Sequence, residues 1–184
     1  MRPVPDCPSW PYVWSPGLGA ALPTEAQWEY ACRAGNQSAF NDGSVCTKPD
    51  GEDPALDRLG WFGESSKGKT HPLKQKLSNG WGLYDLHGNV WEWCRDRWNH
   101  EAYAARAEGV TDPVVESNDP EAPRVVRGGS WDYRARFCRA AIRNDRRPGY
   151  RWDNHGFRLA AGQELVAAEP QGAERPPPER RSRG

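Results

Sequence analysis

Three features that would assign this chain of 184 residues to a class of protein are missing from its sequence. No apolar run approaches the length of a membrane span. No charged-then-apolar leader opens the chain, so the sequence predicts a cytoplasmic protein by default. No CxxC pair occurs among the five cysteines, which excludes zinc-finger spacing.

Net charge is also missing, because 25 basic side chains balance 25 acidic ones. The overall electrostatics therefore predict no nucleic-acid partner. Locally, however, residues 124–158 hold ten arginines, three aspartates and no lysine. This segment could contact a polyanion, but the signatures of nucleic-acid recognition are absent. We favour arginines that pair with backbone carbonyls and carboxylates inside an irregular fold.

Methionine is nearly absent, with one residue against ten tryptophans. The chain also carries nineteen glycines and seventeen prolines, which favour turns over long regular elements. The densest stretch, NGWGLYDLHGNVWEWC (79–94), contains three tryptophans and three glycines. The sequence therefore predicts one domain with a small aromatic core and much irregular backbone.

One helix is clearly predicted, within residues 22–35. Thr24 is a good N-cap, and Gln27 three residues later completes a capping box. Gly35 predicts its end.

Three short strands are predicted in the second half of the chain. Residues 124–131 indicate a buried strand that ends in a glycine bend, and two further strands are expected at 140–143 and 156–160. The remaining segments are predicted to be an irregular start (1–21), a turn-rich segment (36–78), an acidic loop (95–123) and a disordered Pro/Arg-rich tail (162–184).

Four motifs occur in order: LPTEAQWEYACRAG (22–35), GLYDLHGNVWEWCRD (82–96), RVVRGGSW (124–131) and GFRLA (156–160). Together they resemble the formylglycine-generating-enzyme family, also called the sulfatase-modifying-factor domain. The resemblance covers residues 22–161 and implies an α+β fold, an irregular C-type lectin-like fold with short strands and few helices. It also implies N-terminal strands for which this chain looks shortened, so either a partner or another domain supplies them or the chain is a fragment.

In the family that this chain resembles, the formylglycine-generating enzyme binds copper through two cysteines. They lie three and eight residues after the serine of the GGS motif. Here those positions hold Tyr133 and Cys138. One thiolate cannot form the pair that Cu(I) prefers, so we expect neither copper nor catalysis and regard Cys138 as vestigial. An oxidoreductase of the same family, of the formylglycine-generating or non-haem iron type, stays open. The iron type is disfavoured because no H-x-E motif involves His71, His87, His100 or His155.

The resemblance also suggests members of the family that bind ligands. They include the variable proteins of diversity-generating retroelements. Those proteins vary the segment between GGSW and GFR, which is 132–155 here. Its Tyr, Trp and Arg side chains suit recognition of a protein or small molecule. Trp152 speaks against diversification, since mutating the adenines of an asparagine codon that ends in a pyrimidine cannot give tryptophan. The candidate ligand-binding residues are Asp132, Tyr133, Arg134, Phe137, Ile142, Asn144, Asp145, Arg146, Arg147, Tyr150, Trp152, Asp153, Asn154 and His155.

The resemblance further implies a structural calcium ion. Its ligands would be the side chains of Asp85 and Glu92 and the backbone carbonyls of Gly88 and Val90. Oxygen ligands of this kind suit a hard cation. The alternative is that both carboxylates pair with core arginines such as Arg127 or Arg158. A second calcium site would fall in the cluster of Asn41, Asp42, Asp50, Glu52 and Asp53.

Overall fold

The computed structural model describes residues 20–104, 109–111 and 113–161. Its elements, in chain order, are β1 (Ala20–Ala21), α1 (Glu25–Arg33), α2 (Pro54–Asp57), β2 (Trp91–Arg97), β3 (Arg124–Arg127), β4 (Arg143–Arg146), β5 (His155–Gly156) and β6 (Ala160–Ala161). Short 3-10 helices cover Gly63–Ser66 and Ala135–Cys138. Irregular backbone joins these elements, which confirms the predicted α+β class with short strands and few helices.

The strands form two separate sheets. The larger sheet has four strands in the order β4-β3-β2-β5. β3 runs antiparallel to both β2 and β4, whereas β5 runs parallel to β2. The smaller sheet consists of β1 and β6, which pair antiparallel and so join the first and last strands of the described residues.

The helix α1 begins and ends where local sequence predicts. The Thr24 side chain accepts a hydrogen bond from the Gln27 backbone at 3.2 Å, and the Gln27 side chain accepts one from the Thr24 backbone at 3.0 Å. This capping box satisfies two N–H groups at the helix start. At the other end Ala34 adopts φ 45°, one residue before the predicted stop, and its N–H donates to Tyr30.

The four-stranded sheet has two chemically different faces, because neighbours across a ladder point to the same side. Glu92 pairs with Arg127, and Arg127 pairs with Arg143. These residues belong to the inner face, which packs on α1 and comprises Glu92, Cys94, Val125, Arg127 and Arg143. The alternate positions form the outer face, which comprises Trp91, Trp93, Asn144, Arg146 and His155.

The strand over 124–131 is confirmed in part: β3 covers Arg124–Arg127, and the bend follows at Gly128 and Gly129, with φ of 95° and 76°. The predicted position of the strand at 140–143 is wrong by three residues, since β4 covers Arg143–Arg146. Ala140 instead donates its N–H to Ala39, which holds this stretch away from the ladder.

The single strand predicted at 156–160 is replaced by β5 and β6, which belong to different sheets. Between them the Arg158 side chain bonds to Glu92. β2 was missed by the sequence analysis, which assigned 79–94 to irregular backbone and 95–123 to a loop. The short α2 likewise lies inside the segment 36–78 that was interpreted as turns.

The limits of the domain are partly visible. β1 lies immediately before the predicted domain start at residue 22. Residues 1–19 of the predicted irregular start and the predicted tail 162–184 lie outside the described residues. Within the part that is described, no helix is long and apolar enough to cross a membrane.

Candidate ligand-binding site

The outer face of the sheet and the loops that flank β4 together form an aromatic surface. The Tyr133 ring meets the Trp91 ring edge-on, with centroids 5.3 Å apart. The Tyr150 ring stacks with Trp152 at 6.0 Å and meets His155 edge-on at 4.9 Å. We call this surface the aromatic face; it comprises Trp91, Trp93, Asp132, Tyr133, Arg146, Tyr150, Trp152, Asn154 and His155.

Arg146 supplies the central positive charge of the aromatic face. Its guanidinium donates to the Tyr133 hydroxyl at 3.2 Å and to the Asn144 side chain at 3.1 Å. It also lies 5.1 Å from the centre of the Tyr150 ring, within the range of a cation–π contact. These three side chains are uncharged, and Arg146 also donates to the Asp145 backbone carbonyl at 2.6 Å.

A chain of hydrogen bonds fixes the orientation of His155. The Ser130 hydroxyl donates to Asp132 at 2.7 Å. The Asn154 amide nitrogen donates to both Asp132 oxygens, at 2.9 and 3.1 Å. Because the amide NH₂ faces a carboxylate, the Asn154 oxygen must be the acceptor toward His155, at 2.6 Å from Nδ1. His155 therefore carries its proton on Nδ1.

The other ring nitrogen of His155 is left as an acceptor. Nε2 is buried and has no hydrogen-bond partner among the described residues. Burial lowers the pKa of His155 to about 4; the Arg146 charge acts in the same direction, and Asp132 opposes both. The ring is therefore neutral near pH 7 and presents a lone pair on Nε2.

The structure brings half of the predicted ligand-binding residues into the aromatic face. Asn144 lies beside it, under Arg146. Two others have local partners: Arg134 pairs with Asp50 at 3.3 Å, and Phe137 packs on Tyr133. The rest are Ile142 and Asp145, which are half-buried, and Arg147 and Asp153, which are exposed.

Trp91 and Trp93 also belong to the aromatic face, although sequence analysis did not name them as site residues. The W-x-W spacing was the available signal, since residues two apart in a strand share a face. The Trp91 indole N–H, like His155 Nε2, is buried and has no partner within the described part of the chain. The Trp93 ring lies 5.9 Å from His155.

Cys138 has the surroundings of a core residue. It is fully buried in an apolar cluster with Phe40, Leu56 and Phe62. Burial raises the pKa of its thiol to about 12. A Cβ added at Gly129 would approach the Cys138 sulfur to 2.5 Å, so the glycine bend is needed for this packing. A thiol in this environment stays protonated and is a poor nucleophile.

Cys138 forms no disulfide with the other cysteines that the structure describes. Cys32, Cys46, Cys94 and Cys138 are all free, and Cys7 lies outside the described residues. Burial raises the pKa of Cys32 to about 12 and that of Cys94 well above its ordinary value.

Asp85 has a feature that fits a cation. Its backbone adopts φ 58°, and Oδ2 accepts a hydrogen bond from the Lys74 backbone at 2.9 Å. Oδ1 is buried without a partner among the residues described. The adjoining cavity of about 370 Å³ is also lined by Val90 and Glu92. Asp85 therefore has a buried acceptor that a hard cation could use.

Glu92 is already engaged by an internal cation. Arg158 donates to its two oxygens at 2.6 and 2.7 Å, and the Trp28 indole donates at 2.7 Å. The ion pair with a core arginine, which is the alternative to calcium, is thus present between Glu92 and Arg158. Arg127 pairs instead with Glu29 and lies 3.6 Å from Glu25. A calcium ion at Asp85 would share Glu92 with Arg158.

In the cluster predicted as a second calcium site, Asp42, Asp50 and Asp53 have local partners, whereas Asn41 Oδ1 is buried without a partner among the described residues. Asp53 accepts five hydrogen bonds, including backbone N–H groups at the start of α2. Asp42 pairs with Arg58 and Asp50 with Arg134. Across residues 20–104, 109–111 and 113–161, no three His, Cys, Asp or Glu side chains gather into a group that could hold a metal.

His87 has a structural setting. Its ring is fully buried, with Nδ1 donating to the Cys138 carbonyl at 2.7 Å and Nε2 accepting from the Asn41 backbone at 3.1 Å. Acceptance at Nε2 requires the neutral ring, and burial lowers the pKa of His87 to about 4. This histidine holds three segments together.

Comparison with known proteins identifies the scaffold. The family model of the sulfatase-modifying factor enzyme 1-like domain matches residues 14–163. The formylglycine-generating enzyme of Mus musculus is 36% identical over 156 residues, which cover 78% of this chain and 39% of the enzyme.

Two solved structures share the fold. Treponema denticola variable protein 1 superposes with a TM-score of 0.60 at 33% identity, covering 76% of this chain and 46% of that protein. PvdO from Pseudomonas aeruginosa gives a TM-score of 0.61 at 29% identity, covering 76% and 51%. These neighbours confirm the predicted fold. The chain spans about half the length of the proteins it matches.

Proposed function

Because the chain belongs to the sulfatase-modifying factor enzyme 1-like domain family, we propose that it is a ligand-binding member that lacks the oxidase centre. The aromatic face is its recognition surface for a protein or a small molecule. The observation that carries this proposal is the placement of Tyr133. It stands where the resemblance implies the first of the two copper-binding cysteines, and its ring packs into the aromatic face beside Trp91 and Arg146.

The chemistry of the aromatic face supports binding. Tyr150 is 36% exposed and Trp152 is 44% exposed, so a stacked pair of large rings is available to solvent. Exposed aromatic side chains next to an arginine are the usual anchors of recognition surfaces. The buried Cys138 offers no thiolate to a soft metal.

The alternative is an oxidoreductase of the same family, favoured by the identity of 36% to the mouse formylglycine-generating enzyme. Incubation of the purified protein with copper and a cysteine-containing sulfatase-motif peptide separates the two functions. We expect mass spectrometry to show unmodified cysteine. A formylglycine product that disappears in the Cys138→Ala variant would establish the alternative.

We also propose that residues 132–155 are diversified. The similarity to a protein named variable protein 1 supports this, as do the aromatic and arginine side chains of the segment. The test is the surrounding genome. A reverse-transcriptase gene and a near-copy of the coding segment that differs at adenines would support diversification. Their absence from the complete genome would contradict it.

Calcium is a further part of the proposal. The partnerless Oδ1 of Asp85 supports it, together with the cavity that Val90 and Glu92 share. The ion would be structural, because it would lie behind the sheet strand β2 and not on the aromatic face. Its test is the thermal stability with and without calcium, described in the Discussion.

The proposal includes a second polypeptide contact, because the chain spans about half the length of its relatives. An apolar patch is exposed at Leu73 and Phe157, which line one cavity; Trp81 and Leu159 are exposed as well. The relatives contain a stretch of sequence that this chain does not match. We propose that a polypeptide equivalent to that stretch covers this patch. Co-expression with such a segment should reduce binding of a hydrophobic dye, and an unchanged dye signal would contradict the contact.

A further inference from the structure

The loop of residues 67–77 turns leucine side chains toward solvent. Leu73 is 71% exposed, although it lines the cavity of about 370 Å³ together with Phe157. Leu77, four residues later, is 57% exposed. Exposed apolar side chains that adjoin a cavity are typical of a surface on which another molecule packs.

The backbone of this loop is held in place by the core. The Asn89 side chain accepts from the His71 N–H at 3.0 Å and donates to the His71 carbonyl at 3.1 Å. The His71 ring stacks on Trp61, with centroids 3.8 Å apart. Lys74 donates its backbone N–H to Asp85 at 2.9 Å. A partner that docks on this loop therefore meets a backbone that is already ordered, which lowers the entropic cost of binding.

The loop is also positively charged. It holds four lysines and no acidic residue. Lys76 pairs with Asp57 at 3.1 Å. Lys67, Lys69 and Lys74 are exposed, and within the described part of the chain none of them forms an ion pair. Three positive charges are therefore available to the carboxylates of a partner.

We propose that this part of the molecule docks an acidic, apolar polypeptide segment. An apolar side chain of the segment fills the cavity beside Leu73, and its carboxylates meet the lysines. This inference rests on the second polypeptide contact proposed above, and it adds the chemistry of that polypeptide. We call the docking site the lysine–leucine surface; it comprises Lys67, Lys69, Leu73, Lys74, Leu77 and Phe157.

Shape and charge together select this partner. An anionic bilayer would also attract the lysines, but a flat surface leaves the cavity beneath it empty, whereas a polypeptide side chain can enter it. A basic segment would meet like charges. The two carboxylates that line the cavity, Asp85 and Glu92, are buried, and Glu92 already pairs with Arg158. The exposed charges of the lysine–leucine surface are thus those of its lysines.

The test uses a random peptide library displayed on phage as the probe. The library is selected on the wild-type chain and counter-selected on Leu73→Asn, a substitution of an exposed side chain outside the core. A selected peptide is then synthesised. Its Kd is measured on the wild type, on Lys74→Gln, on the triple variant Lys67→Gln/Lys69→Gln/Lys74→Gln and on Lys48→Gln. Lys48 is the matched control, because it is an exposed lysine outside the lysine–leucine surface.

We expect the selected peptides to carry more Asp and Glu than the unselected library. Lys74→Gln should weaken binding about threefold and the triple variant on the order of tenfold, since each exposed ion pair contributes little on its own. Lys48→Gln should change nothing. The Kd on the wild type should also rise with added salt, a measurement that needs no variant.

The failures of the inference and of the contact are distinguishable. Peptides that depend on Leu73 but carry no acidic excess, or that bind the triple variant as tightly as the wild type, would overturn this inference and leave the polypeptide contact standing. A library that yields no peptide dependent on Leu73 would overturn both. Co-sedimentation with phosphatidylserine vesicles that is lost in Leu73→Asn would assign the surface to a membrane and overturn the acidic polypeptide as its occupant.

Discussion

The two faces of the four-stranded sheet handle charge in opposite ways. On the inner face Arg127 pairs with Glu29, and Arg143 donates to Glu25 at 2.5 and 2.7 Å. On the outer face Arg146 donates to the neutral side chains of Asn144 and Tyr133, and His155 keeps an acceptor without a partner among the described residues. The same strands therefore carry a closed ion-pair network on one side and open hydrogen-bonding capacity on the other.

This difference separates stability from recognition. A buried charge that loses its partner is costly, so the inner face tolerates few changes. A half-exposed side chain that serves no core contact can be replaced at little cost. Even so, the outer face is not loose, because Asp132 and Asn154 fix His155 in one orientation. Four predictions test how sharp this separation is, from the largest effect to the smallest.

Arg127→Met should cause the largest loss. Arg127 is fully buried, and its removal leaves Glu29 without its main partner and the carbonyls of Ala140 and Ile142 without a donor. We expect urea unfolding to show a loss of about 3–5 kcal/mol. Arg134→Met, which removes an exposed pair with Asp50, should cost less than about 1 kcal/mol. Equal effects of the two substitutions would contradict the importance of the buried ion pairs on the inner face.

Acid should weaken the core through His87. Its pKa falls from 6.5 to about 4 on folding, so between these values the unfolded chain binds a proton that the folded chain does not. Stability is therefore lost as the pH falls from 6.5 toward 4, by roughly 3 kcal/mol over the full window. Urea unfolding at pH 7 and pH 5 measures the slope.

The matched variants for this slope are His87→Gln and His100→Gln. The first should flatten the dependence between pH 7 and pH 5, although it lowers stability at both values. The second changes an exposed histidine and should leave the slope as it is. A steep slope in His87→Gln would assign the effect to other groups, with His155 as the next candidate because its pKa is also lowered.

Calcium should stabilise the chain through Asp85, behind the inner face. We expect EDTA to lower the melting temperature and calcium to restore it, with about 2.7 kcal/mol gained at a hundredfold excess over Kd. Asp85→Ala should abolish this response, since Oδ1 is the buried acceptor without a partner in the described structure. Glu121→Ala, on an exposed loop, should keep it. A melting curve indifferent to calcium would contradict this site and leave Glu92 to its bonds with Arg158 and Trp28.

Trp152→Ala should have the smallest effect on stability. The side chain is 44% exposed and stacks only on Tyr150, so its removal should change the free energy of unfolding by less than about 0.5 kcal/mol. Chemical denaturation measures this directly. A loss comparable to that of Arg127→Met would make the aromatic face part of the core and would contradict its role as a recognition surface.

Local sequence was enough to predict the features that depend on neighbours along the chain. Thr24 and Gln27 form the predicted capping box, and β3 ends in the predicted glycine bend. β2 was missed because tryptophan and glycine dominate the segment before it and hide the alternation of Trp91 and Trp93. The position of β4 depends on the bond from Ala140 to Ala39, which no local pattern shows.

The candidate site shows the same limit. The family resemblance pointed to 132–155, but it could not tell which side chains converge. Asp132 and Asn154 are 22 residues apart, and Glu92 and Arg158 are 66 apart. Only the fold shows that Asp132 and Asn154 orient His155. It also shows that Arg158 pairs with Glu92, which was the predicted calcium ligand. Pairings over such distances are set by the packing of the whole domain.

The small sheet of β1 and β6 has a practical consequence for protein engineering. Ala20 pairs with Ala161 and Ala21 with Ala160, so the two ends of the described domain emerge side by side. A domain with adjacent ends can be inserted into a surface loop of a host protein without stretching that loop. Residues 20–161 could thus be displayed from a carrier with the aromatic face free, and the host would hold the β1–β6 pair closed.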